Sequence, residues 1–138
     1  MNADNIHMDS KLSVYYMSAA FAYLVVGSVL FLISLSGFLP IRFDYIFIMW
    51  FFGFVMMMIF GLSYMFAPGL SHSGYANYKT VEAELIVLNF GILLFLGSEL
   101  AGLKEVALFG AIAIFAGILI HVYNMSYMFS KKGRRIRQ

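Results

Sequence analysis

Apolar residues run through this chain in long uncharged stretches, with the charges gathered between them and at the ends. No charged residue occurs between Lys11 and Arg42, between Asp44 and Lys79, between Glu84 and Glu99, or between Glu105 and Lys131. A bilayer core about 30 Å thick needs about 20 residues at 1.5 Å each. The stretches therefore predict four membrane-spanning helices at about 14–38, 45–66, 80–100 and 106–129. Glu82 and Glu84 fall inside one end of the third. Leu39-Pro40 and Ala67-Pro68-Gly69 should end the first two helices, because the residue before proline is pushed out of the helical region. Ala101-Gly102-Leu103-Lys104 reads as a tight turn, making helices three and four an antiparallel hairpin. The first helix reads as a mature span: its apolar run is too long for a signal peptide, and no A-x-A site follows it before Pro40. The expected architecture is an all-α, integral membrane four-helix bundle formed by residues 1–138 as one transmembrane domain, in a multi-pass cell-membrane protein.

Composition agrees. Of 138 residues, 62% are hydrophobic and 12% charged, against about 25% charged in an ordinary soluble domain. That balance excludes a typical soluble enzyme, a disordered chain and a coiled coil. With no cysteine, disulfides, zinc–thiolate sites, iron–sulfur clusters and cysteine nucleophiles are excluded as well.

Charge sets the expected orientation. The segment Lys131-Lys132-Gly133-Arg134-Arg135-Ile136-Arg137 carries five cations, and cytoplasmic flanks are enriched in Lys and Arg. Four spans then put both termini in the cytoplasm, with Lys11 and Lys79 on the same side as this tail and Arg42 and Lys104 opposite. Beside a membrane span, the basic tail reads as an orientation signal that touches anionic lipid, with no nucleic-acid partner. The tyrosines Tyr15, Tyr16, Tyr45, Tyr64, Tyr75, Tyr78, Tyr123 and Tyr127, with Trp50, fall near helix ends and read as an interfacial belt.

Helices in lipid associate through small residues that let backbones approach. Gly53, Met57 and Gly61 share a face of helix two. Glu84, Leu88, Gly91, Phe95 and Ser98 share one of helix three, and Ala20 and Gly27 are seven apart in helix one. Helix four places Gly110, Ala113, Gly117, His121 and Asn124 on a single face. The packing candidates are therefore Gly53, Gly61, Gly91, Gly110 and Gly117. No polar stripe runs the length of all four helices, which argues against an ion channel or a large-solute transporter.

Polar groups inside a span are costly and are functional candidates by default. Here they are Glu84, Asn89, His121 and Asn124. Measured at 1.5 Å per residue from the same membrane face, Asn89 and His121 lie about 12–13 Å deep and Glu84 and Asn124 about 6–8 Å. Asn89 should thus pair with His121, and Glu84 with Asn124. Near a helix N-terminus, Glu84 also reads as a carboxylate favoured by the helix dipole. His121 is the sharpest single residue: as a haem axial ligand its second ligand would be Met58, and as a bland one it is a hydrogen-bonded core histidine. Copper is the other metal weighed, because Met56-Met57-Met58 is methionine-rich. Three consecutive residues point three ways around a helix, so they do not converge on one ion. The loop His72 with Tyr75 and Tyr78 is a weaker grouping. No catalytic motif is present.

Helix two, WFFGFVMMMIFGLSYMFAPGL, places Gly53-Phe54, Gly61, Tyr64 and Pro68 at set spacings. This resembles the second helix of haem–copper oxidase subunit I and of short four-helix membrane proteins akin to it, with Asn89-Phe90-Gly91 and Tyr123-Asn124 also similar. The resemblance covers roughly residues 44–129. It implies the four-helix fold and a place in electron transport. It also implies a haem-ligating histidine at the position held here by Ile48. A chain with the packing residues and without the ligand is expected to be a small accessory subunit of a larger membrane oxidoreductase complex, of the respiratory oxidase or membrane metal monooxygenase type. It would pack in a hetero-oligomer against other integral membrane subunits and lipid, with no cofactor of its own. A haem-b-binding or a quinone- or proton-handling module built on His121 is the alternative.

Overall fold

A computed structural model describes residues 3–38, 41–71 and 77–130. These are helical almost throughout, with no strand among them. In a bilayer the backbone has no water to bond, so a helix, which satisfies its own N–H and C=O groups, is the form an isolated span can take. The elements are α1 (Ala3–Leu35), α2 (Phe43–Ile48), a π-helical segment (Met49–Met56), α3 (Met57–Ser71), α4 (Tyr78–Ala101) and α5 (Lys104–Ser130). α2, the π segment and α3 are continuous and make the second span. Four stretches are long and apolar enough to cross a membrane: Lys11–Leu35, Phe43–Pro68, Tyr78–Ser98 and Lys104–Ser130.

The boundary expected at Pro68 is corrected, while Leu39-Pro40 lies outside the described residues. α1 stops at Leu35, three residues short of the expected Phe38, at Gly37. Gly37 sits at φ 74°, a left-handed conformation that glycine adopts without steric cost, and its N–H bonds the Ser34 carbonyl at 3.1 Å. Pro68 does not end the second span: it lies inside α3, which runs on to Ser71. Membrane helices tolerate such a proline because neighbouring helices and local adjustment satisfy the freed carbonyl. The π segment has no counterpart in the sequence pattern. Its residues are apolar on every side, so no hydrophobic period reveals how tightly they wind.

The chain packs as two hairpins. α1 lies along the π segment and α3; α4 lies along α5, the two turning back at Gly102, φ 66°. The stripes of small residues face these contacts. A Cβ on Gly91 would stand 3.0 Å from the Gly110 carbonyl oxygen, and one on Gly110 would stand 2.7 Å from the Phe95 nitrogen, so the α4 and α5 backbones touch. Gly117 makes room for Leu88. In the other hairpin Gly53 lies under the Tyr23 ring and Gly61 against Tyr16. The outward faces carry large apolar side chains, among them Phe21, Leu32, Phe66, Phe90, Phe115 and Val122.

Candidate functional site: a buried carboxylate shared by all four spans

The two hairpins meet around one carboxyl group. Glu84 lies on α4, six residues after its start at Tyr78, and is fully buried. Its face also carries Leu88, Gly91 and Ser98, all buried, so the spacing that packs α4 against its neighbours also aims this carboxylate inward. Every other span sends it a partner. From α1, the Tyr16 hydroxyl donates to Oε1 at 2.9 Å and lies 3.3 Å from the Val81 carbonyl. From α3, the Tyr64 hydroxyl donates to Oε2. From α5, Asn124 Nδ2 donates to Oε2 at 2.9 Å and to the Tyr64 oxygen at 3.0 Å. Also from α5, His121 Nδ1 lies 3.0 Å from Oε1. A buried charge is tolerated where it is paired and its lone pairs are used, and here both oxygens have two partners each.

The imidazole is itself held. Phe60 stacks on its face, with ring centres 3.6 Å apart and planes 5° from parallel. Tyr64 meets it edge-on at 5.3 Å. His121 is also the most exposed member: a tenth of its side chain is accessible, while that of Glu84 is sealed.

A smaller cluster lies farther along the bundle. Tyr23, two turns beyond Tyr16, donates to Asn89 Oδ1 at 2.9 Å. Asn89 Nδ2 donates to the Leu85 carbonyl at 2.8 Å and approaches the Met57 sulfur at 4.0 Å. Depth counting pairs Asn89 with His121, but His121 takes Glu84 and Asn89 takes Tyr23. Depth along a helix does not say which way a side chain points around it. The pairing of Glu84 with Asn124 is present. Glu84 is a shared core acceptor, not a carboxylate resting on a helix end, while Glu82 is exposed. Tyr16 and Tyr64 belong to this site and not to an interfacial belt. Both are buried, and their nearness to helix ends hid this.

Met58 is half-buried, and no hydrogen bond or ring contact joins it to His121 among the described residues. Met57 is the run's inward-facing member. Among the described residues no group of three His, Asp or Glu side chains could hold a metal ion. Ile48 is half-buried and its side chain offers no ligand atom. His72 and Tyr75 lie outside the described residues, as does the basic tail.

Compared with known proteins, the chain matches no family model, no curated protein and no solved structure.

Proposed function

We propose that this protein is a small, non-catalytic subunit of a larger membrane oxidoreductase assembly, embedded in the cell membrane with both termini in the cytoplasm. The observation that carries the reading is the Glu84 cluster. All four spans contribute to it or carry it, and both carboxylate oxygens are already partnered within the chain. The interior contacts thus help to hold the bundle together. The surface left for other molecules is apolar along the spans, suited to lipid and to the helices of partner subunits. The Gly53, Gly61, Tyr64 and Pro68 pattern, with its resemblance to haem–copper oxidase subunit I, supports an oxidoreductase as the partner. Ile48 supports a role without haem. The excess of Lys and Arg flanking one side supports the orientation.

The test is extraction of the native protein in mild detergent, with native mass and an absorbance spectrum recorded on the same peak. A large complex, with no haem stoichiometric to this chain, is the expected outcome. A small species with its own Soret band would overturn the proposal and move attention to His121.

A further inference from the structure

We propose that Glu84 and His121 together form a membrane-embedded binding site for a single exchangeable proton, which enters and leaves through the imidazole. The inference does not rest on the partner assembly and stands on the geometry of the cluster.

The hydrogen count comes first. His121 Nδ1 and Glu84 Oε1 lie 3.0 Å apart. A ring nitrogen without hydrogen and a carboxylate oxygen are both acceptors, so a contact at this distance needs one hydrogen between them. It rides on Nδ1 or on Oε1. The other groups around the carboxyl cannot take its place. Tyr16 and Tyr64 each bring one hydroxyl hydrogen, and the Asn124 amide brings its own two. All three are neutral donors.

The charge count follows. Groups facing Glu84 are Tyr16 from α1, Tyr64 from α3, and His121 and Asn124 from α5. Among the described residues no lysine, arginine or second carboxylate pairs with it. The imidazole is therefore the one group at hand that can cancel a carboxylate charge. With one hydrogen on the Nδ1–Oε1 line and one on Nε2, the pair is net neutral, whichever atom holds the shared hydrogen. Loss of the Nε2 hydrogen to water as a hydrated proton leaves Nδ1–H facing a carboxylate, with net charge −1. The membrane interior disfavours that uncompensated charge. Holding and releasing this proton is thus a property of the pair and not of either residue.

Access is one-sided. Glu84 is sealed, and a tenth of the His121 side chain is open. Phe60 and Tyr64 hold the ring's plane, with Nδ1 on the carboxylate. Tyr16, Tyr64 and Asn124 are positioning residues: they hold the carboxyl in place and do not carry the exchanged proton.

The experiment uses the full chain in lipid nanodiscs, titrated with pH. Infrared difference spectra follow the Glu84 carboxyl, assigned by its loss in Glu84→Gln, and nitrogen NMR follows His121 in labelled wild-type protein. The expected result is that the His121 signal changes with one proton released, and that any change of the Glu84 carboxyl falls at the same midpoint. In His121→Gln, which has no ionisable ring, that shared transition should be lost. Separate midpoints for the two residues, or a His121 signal that stays constant wherever the protein is folded, would overturn the proposal. The labelled wild type decides the matter alone if His121→Gln does not fold.

Discussion

The Tyr16 hydroxyl in the first span donates to the Glu84 carboxylate in the third, 68 residues away, at 2.9 Å. The two residues belong to different hairpins, and their contact is part of what joins one hairpin to the other. Removing the hydroxyl in Tyr16→Phe keeps the ring, which tilts against Tyr64 at 5.8 Å, and deletes one of four contacts to the carboxyl. Hydrogen bonds between membrane helices are worth about 0.6–2 kcal/mol, so a loss near 1 kcal/mol is expected. Glu84→Ala should cost far more, about 3 kcal/mol or above, because it strips the common partner from Tyr16, Tyr64, His121 and Asn124 together. Unfolding by titration from mild detergent into SDS measures both.

The hydrogen-bond clusters should be separable. Tyr23 serves Asn89, and Tyr16 and Tyr64 serve Glu84. Tyr23→Phe combined with Tyr16→Phe is expected to give additive losses, since the two hydroxyls share no partner. Tyr16→Phe combined with Tyr64→Phe should depart from additivity by about 0.5 kcal/mol or more, because both act on one carboxyl. A double-mutant cycle on the same unfolding transition reads the difference.

Gly110 and Gly97 should respond in opposite ways to an added methyl group. At Gly110 a Cβ would stand 2.7 Å from the Phe95 nitrogen and 2.9 Å from the Gly91 oxygen, both backbone atoms that move only with their helix. Gly110→Ala is therefore expected to cost about 1–3 kcal/mol as α4 and α5 are pushed apart. At Gly97, on the same hairpin, a Cβ meets nothing within 4 Å. Gly97→Ala should leave stability unchanged or raise it by up to about 1 kcal/mol through helix propensity. Equal effects at the two sites would contradict the close crossing.

Gly102 turns the chain between α4 and α5 at φ 66° with open space around it. Gly102→Ala meets no neighbour, so its cost is that of the left-handed backbone alone, about 1–2 kcal/mol. A thermal shift in detergent smaller than that of Gly110→Ala is the expected outcome.

The sequence by itself determined the number of spans, because charge is too costly to leave in lipid and its gaps count the crossings. It also determined the close-packing faces: Gly53 and Gly61, Gly91 and Gly110, and Gly117 stand where small residues recur at helical spacing, and the structure buries all of them. The α4–α5 turn was legible from Gly102 for the same local reason. What escaped was whatever depends on the angle of one helix around another. Charge gaps and depth counts report height along a span, so Glu84 and Asn124 could be matched, but they do not report azimuth, and His121 was assigned to Asn89. Tyr16 and Tyr64 looked like interfacial tyrosines because a residue near a helix end has the same sequence signature whether it faces headgroups or a buried carboxyl. The uniformly apolar run from Met49 to Met56 carries no period, so its π winding belongs to the tertiary structure alone. Only the packing of both hairpins brought five polar side chains from four spans to one point, since each of those side chains needed a partner that its own helix could not supply.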